Sequence, residues 1–514
     1  MQMKRKNYIK GLSAILIITV LGKAFGFVRE LVLAYCYGTG KVVDTFIMAE
    51  SLPSVFFGWT TAFATAFVPV YQSVKQTEPE ERQKSYATTM LFSMTCFSAI
   101  FVIIGITFAR QIIDISAQGF SKEQKELTYA MYIICTLTYL YYSQIQLITN
   151  YLNCREQFVK ATVPTLLLSP IQTGFVLLSF FLKRPVLLAI GVAASTFAQM
   201  IMSLCFAIHE GLSLKGSICF SREVRRTFKM GAPLFLSTIV TRLNILIDKT
   251  FASGLPEGSI SALSYGENLR TIFYSVISLV ITSMLYPVIS KKVAEKNYND
   301  VNEHARQTVR ILISIVIPLT VCGCVLAQWG TTIIYMRGKF DQQSMMMTAG
   351  AFSMYMIGLL SMLIRDLGNS ISQAYQNSTI PLVTCTIIVG VNIVLNICLV
   401  KPLGHIGLAM STSIANILIV PAECIAIRKK YTIHMVDKKE MILLWRCIVS
   451  SGIAGVTTML VTKMWNNVFL GETVVVKILI LVVAAIIFML IYILALCVYY
   501  RMAREKIYEI FKLK

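Results

Sequence analysis

Lys23 to Pro69 reads KAFGFVRELVLAYCYGTGKVVDTFIMAESLPSVFFGWTTAFATAFVP. Two apolar runs of helix length flank the GTGK turn, and they carry Lys23, Arg29, Glu30, Asp44 and Glu50. A charge near the middle of a bilayer costs at least about 2.5 kcal/mol, so such a residue is kept where it faces a wet cavity, a partner or a polar ligand. Residues near the ends of a span, as Lys23 and Glu50 are, can instead extend to the interface. Arg29 lies deep in the first run with apolar residues on both sides, and a cavity is the better explanation for it.

The rest of the chain extends this pattern. Of 514 residues, 56% are hydrophobic and 14% charged, and the mean hydropathy is +0.68. That lies outside the soluble globular range and defines a polytopic membrane protein. A net charge of +21 could suggest nucleic acid, but the basic residues sit in short connections between apolar runs, where the positive-inside rule accounts for them. The expectation is therefore no nucleic-acid partner. The 13 cysteines are scattered and form no CxxC pair of the zinc or redox kind. The first apolar run follows Lys4, Arg5, Lys6 and Lys10 without a small-residue cleavage site, and reads as an uncleaved first span.

Counting apolar stretches gives about 14 transmembrane helices, among them single spans expected over 46–74, 345–375, 379–400 and 404–427. Lys and Arg concentrate in alternate connections, roughly thirty against roughly ten, the richer set including the 210–229 segment with Lys215 and the C-terminal tail, which places both termini in the cytoplasm. The chain also repeats. IGVAASTFAQ from Ile190 aligns with IGLAMSTSIAN from Ile406 at an offset of 216, and ESLPSVFF from Glu50 with ENLRTIFY from Glu267 at 217. Pro164 and Pro381, like Pro185 and Pro402, share the 217 spacing. The expected fold is all-α: two parallel-repeat six-helix bundles over 1–215 and 220–430, plus two C-terminal helices over 436–514. An even number of spans per repeat gives both halves the same orientation, with a cleft between them for substrate and alternating access.

Intramembrane charge repeats with the fold. Lys23 and Arg29 are echoed by Arg242, Asp248 and Lys249, and Glu50 by Glu267. Arginine suits a diphosphate because its planar fork donates paired hydrogen bonds and stays charged. Arg29, Arg270 and Arg365 are the candidates, although Asp366 beside Arg365 allows an internal ion pair. Glu267 and Asp248 have the same alternative, pairing with a neighbouring base to join helices. No Walker A sequence and no histidine constellation is present, so neither ATP nor a catalytic reaction is expected. An ion gradient or the membrane potential is left as the driver.

GKAFGFVRE, VDTFIMAESLP, AFATAFVPVY, DKTFASGLPEGSISALSYGENL, YMRGKFD and GLAMSTSIA, in that order, resemble the MurJ (MviN) lipid II flippase family of the multidrug, oligosaccharidyl-lipid and polysaccharide exporter superfamily. The resemblance covers about 1–430. It implies a bacterial inner-membrane flippase for undecaprenyl-diphosphate-linked peptidoglycan precursor, with a cationic cavity, a groove for the polyprenyl tail on the last two helices and cell-wall synthesis proteins as candidate partners. Arg29 and Glu30 fall on the family's span-1 arginine and its neighbouring acid, Lys23 replaces another arginine, and Asp44 matches the acid opening span 2. Two departures make the cavity less cationic: Phe56 and Phe57 stand where basic residues are usual, and Asn268 stands where an arginine is usual, with Arg270 two residues on. Asp248, Asn392, Asn396 and Thr412 match positions that could supply oxygen ligands to sodium as a coupling ion, and otherwise the asparagines join helices. The substrate-binding set is thus Lys23, Arg29, Glu30, Asp44, Glu50, Glu267, Arg270 and Arg365. Other readings are a flippase for a capsule or O-antigen unit and a cation-coupled drug exporter, which would use Glu50 and Glu267.

Overall fold

The computed structural model describes residues 2–213, 218–295, 297–377, 379–471 and 473–502. Lys215 and the tail beyond 502, both used in the orientation argument, lie outside the described residues. Among those described, the regular structure is helical throughout: α1 (Gln2–Tyr37), α2 (Lys41–Phe56), α3 (Gly58–Thr77), α4 (Glu80–Thr107), α5 (Ala109–Ser116), α6 (Lys122–Leu137), α7 (Tyr139–Cys154), α8 (Phe158–Thr162), α9 (Leu168–Leu182), α10 (Leu187–His209), α11 (Arg222–Ser253), α12 (Ser259–Val280), α13 (Tyr286–Ala294), α14 (Tyr298–Val325), α15 (Ala327–Tyr335), α16 (Gln342–Ile357), α17 (Leu359–Ala374), α18 (Thr379–Tyr431), α19 (Lys438–Gly471) and α20 (Val474–Met502). Among the described residues, seven helices are each long and apolar enough to cross a membrane, and up to nine spans result when each bent pair is one span.

Several runs expected as single spans are broken, each with a local cause. The run over 46–74 is α2 and α3, bent by 47°, with Pro53 inside α2 four residues before the break at Phe57. The run over 345–375 is α16 and α17, bent by 44° at Gly358. A π-helical turn, Ile281–Leu285, leads into Pro287 on α13, since a proline without an N–H disturbs the hydrogen-bond ladder before it. Within α18, Gly404 at φ 57° separates the two stretches expected over 379–400 and 404–427.

Contacts divide the chain at a different place from the repeat. One compact unit comprises residues 1–261 with 337–340, the other 262–336 with 341–514. α11 falls in the first unit because it packs along α3; there Gly231 leaves room for the Phe63 ring, which a Cβ would meet at 2.2 Å. The core of this unit is aromatic, built on Trp59, Phe67, Tyr71, Tyr86 and Tyr151, with Phe67 stacked on Tyr86 at 5.4 Å. In the second unit α18 packs on α16 and α17, while α14 receives α19, which carries α20 alongside it. The buried Glu440 accepts from Arg310 Nε at 2.8 Å and thereby ties the start of α19 to α14.

Two connections in the first unit act reciprocally. Residues 337–340, between α15 and α16, close on the end of α1: Lys339 N–H donates to Tyr35 O at 2.9 Å. Gly119, between α5 and α6, lies against Ser253 at the end of α11, where a Cβ would sit 2.2 Å from the Ser253 carbonyl. Within the first unit, one loop thus closes on the end of α1 and the other on the end of α11. Gly338 has φ +60°, and a Cβ there would be 2.4 Å from Tyr35 O. Gly338→Val is expected to destabilise the protein by about 3 kcal/mol through combined strain and clash; thermal unfolding of the purified variant checks this, and an unchanged midpoint would contradict it. Just beyond the loop, Asp341 caps α16 by accepting from Ser344 N–H at 2.8 Å, a bond that holds its carboxyl below the usual carboxylate range.

Candidate functional site

In the first unit the expected residues divide by environment. α1 turns Arg29 toward α9, where Nη1 donates to Gln172 Oε1 at 2.6 Å. Gln172 Nε2 passes the interaction on to Ser195 Oγ of α10 at 2.9 Å. Arg29 Nε is buried and finds no partner, so this guanidinium keeps donor capacity. Lys23, two turns earlier, is exposed, whereas Glu30 is buried and has its own partner. Glu50 on α2 is half-buried. Together with Arg242 of α11 it acts electrostatically on the Tyr139 hydroxyl. Phe57, at one of the positions where the resemblance predicts a base, stacks on Tyr139 with ring centroids 4.2 Å apart; Phe56 is exposed.

Asp44 has a different kind of partner. Its carboxylate accepts from the backbone N–H of Gly258 and of Ser261, both at 2.7 Å, and it is 3% exposed. Ser261 lies in the first turn of α12 and Gly258 immediately precedes it, where the orphan N–H groups and positive dipole end of a helix favour an anion. Asp44 therefore caps a helix more than 200 residues away. Beside it, Lys41 N–H donates to Glu257 Oε1 at 3.0 Å.

In the second unit the arginines are engaged inside the helix bundle. Arg270 is 5% exposed, and its Nη2 lies 3.2 Å from Glu267 Oε1. Its Nη1 meets Met362 Sδ, and its guanidinium sits 5.7 Å from the Tyr355 ring centre. Arg365 Nη1 donates to Asn416 Oδ1 at 2.7 Å, and its Nε is 3.7 Å from Glu423 Oε2. The internal ion pair expected at Arg365 thus exists, with Glu423 in the role expected of Asp366. Asp366 instead accepts from Tyr274 Oη at 2.8 Å and Ser278 Oγ at 2.6 Å.

Of the candidate sodium ligands, Asn392, Asn396 and Thr412 form one cluster between the two halves of α18. Asn392 Nδ2 donates to Thr412 Oγ1 at 3.3 Å and Asn396 Nδ2 to Asn392 Oδ1 at 3.2 Å, while Ser411 Oγ donates to Asn396 Oδ1. Both asparagines are 0% exposed. This bonding joins helices, and it gathers three side-chain oxygens in one place. Asp248 lies on α11 in the first unit, half-buried and partnered. Among the described residues no group of three or more His, Cys, Asp or Glu could hold a metal ion. Ser195 and Ser411 occupy equivalent places in the repeated motif, and each anchors an interior amide of its own bundle. Clefts of about 190 and 380 Å³ open along α3 and α11, and none of the expected residues lines them. Sequence reasoning missed Gln172, Asn416 and Glu423; the one available signal was Glu423 itself, an acid inside an apolar run.

Charged side chains buried within packed apolar helices define a multi-pass membrane protein of the transporter class. The chain matches the family model described as "Lipid II flippase MurJ" over residues 33–483. It belongs to that family, and it is a multi-pass inner-membrane protein. The "Probable lipid II flippase MurJ" of Buchnera aphidicola subsp. Baizongia pistaciae is 23% identical over 431 residues, covering 80% of this chain and 81% of that one. The protein of the same description from Rickettsia prowazekii is 25% identical over 407 residues, covering 77% and 79%. Among solved structures, "Lipid II flippase MurJ, inward closed conformation" superposes with a TM-score of 0.76 at 20% identity, covering 96% of this chain and 99% of that one. An inward-facing multidrug resistance MATE family transporter of the MOP superfamily gives 0.68 at 11% identity, covering 81% and 98%. At these identities the two structures establish the fold alone.

Proposed function

We propose that the chain translocates an undecaprenyl-diphosphate-linked peptidoglycan precursor, lipid II, across the bacterial inner membrane by alternating access, with both termini in the cytoplasm. The observation that carries this reading is the family match over 33–483. The available Arg29 guanidinium supports it, because a diphosphate needs a fork of charged donors. The polyprenyl tail stays in lipid while diphosphate and sugars cross, so the protein acts as a transporter and not as an enzyme. A drug exporter that binds cations through acids is disfavoured, since Glu267 is matched by Arg270. Expression in a strain depleted of its own lipid II flippase tests the reading: growth and cell shape should be restored, and lysis despite membrane insertion would refute it.

Sodium is the proposed coupling ion, supported by the gathered oxygens of Asn392, Asn396 and Thr412, which as neutral ligands suit a monovalent ion. Asp248→Asn and Asn396→Ala, tested separately in liposomes, are each expected to lower the acceleration that a sodium gradient gives to transport. Indifference of the wild-type rate to sodium would leave membrane potential as the driver and these side chains as helix-joining groups.

A further inference from the structure

Arg365, Asp366 and Glu423 form a cluster within the second unit, Glu423 buried and the other two half-buried, that the transport reading leaves unused. Its two carboxylates are satisfied unequally. Asp366 receives two hydroxyl hydrogen bonds, from Tyr274 and Ser278. Glu423 is 2% exposed, and both its oxygens lack a hydrogen-bond partner. Among the described residues, the opposite charge paired with it is Arg365 Nε at 3.7 Å, beyond hydrogen-bond reach, and that Nε is itself without a hydrogen-bond partner. Gly368 lets the carboxyl lie flat against α17, where a Cβ would come within 2.4 Å of Oε1. The charged groups facing Glu423 are Arg365 and Asp366 from α17, with Cys424 next to it on α18. α16, the other helix packed on α18, carries no Asp, Glu, Lys or Arg.

With both acids ionised, the cluster has one positive and two negative charges in a water-poor interior. Two carboxylates sharing one cation do not both stay charged at low cost. Asp366 already has its donors, so the proton goes to the carboxyl that has none.

We propose that Glu423 is a proton-binding site that operates Arg365: ionised Glu423 holds the guanidinium by charge, and uptake of one proton from water to give the neutral acid releases it. The released Arg365 keeps its charge and its bond to Asn416, and its guanidinium no longer has the neighbouring Glu423 carboxylate charge competing with an anionic ligand. Protonation stands independently of the transport reading; only the use of the released guanidinium on a diphosphate rests on it.

Two measurements on the purified full chain without lipid substrate test this. Difference infrared spectroscopy on acidification should give a protonated-carboxyl stretching band that Glu423→Gln removes, Glu423→Asp moves and Asp366→Asn leaves in place. At one fixed pH, Glu423→Gln, which imitates the protonated state, should raise labelling of Arg365 by an arginine-specific dicarbonyl several-fold while Arg270 stays as in the wild type. A band that survives Glu423→Gln, or Arg365 labelling unchanged in that variant, would overturn the proposal. General exposure of the variant would raise Arg270 as well, and the Glu423→Asp band shift then decides. Neither readout depends on which lipid is moved, so failure here and failure of the flippase reading are separate results.

Discussion

Arg29→Ala is expected to abolish function while the protein still reaches the membrane. The guanidinium bonds to Gln172 through one nitrogen and keeps Nε unpartnered, so its removal deletes buried positive charge and leaves one amide to find another partner. The structural loss is about one hydrogen bond to a charged group, about 1.5–3 kcal/mol, too little to unfold a well-packed bundle. The functional loss is the cation on which a diphosphate would depend. Arg29→Lys should restore part of the activity, because a compact ammonium keeps the charge but not the planar fork. Complementation together with immunoblotting of membranes checks both variants. Normal growth on Arg29→Ala as the sole flippase would remove Arg29 from the substrate path.

Asp44→Ala should have an effect of similar size by another route. It strips two charge-assisted bonds from the start of α12 and leaves the N–H groups of Gly258 and Ser261 unpaired in a buried site. The expected cost is about 3 kcal/mol, from the lost bonds and the unpaired donors together. Asp44→Asn, which keeps one acceptor oxygen but loses the charge that favours a helix N-terminus, should fall between wild type and alanine. Thermal unfolding of the purified variants reads the order directly. Equal stability of all three would mean that the carboxylate serves a ligand and not the helix.

These residues also define how far the sequence could be read. The all-helical membrane fold followed from apolar run lengths, and the equivalence of Ser195 and Ser411 from the repeated motif. The presence of Arg29 and Asp44 in apolar surroundings was enough to mark them as polar residues with a purpose. The partner of Asp44 was not legible, because its donors lie 214 and 217 residues away and a backbone N–H has no sequence signature. Arg365 illustrates a geometric limit. Asp366 is its chain neighbour, but successive helical residues point about 100° apart, so the two side chains meet different helices. Arg270 and Glu267 are three apart and do meet, as helical spacing allows. Breaks at Phe57 and Gly358 escaped a hydropathy reading because a bend changes direction without changing apolarity.

The central claim, that the cargo is the peptidoglycan precursor, is tested most directly by depleting the protein in its own cell and identifying which lipid-linked intermediate accumulates and on which leaflet. Lipid II should build up on the cytoplasmic leaflet as cell-wall synthesis stops. Unchanged lipid II together with accumulation of a capsule or O-antigen intermediate would contradict the assignment.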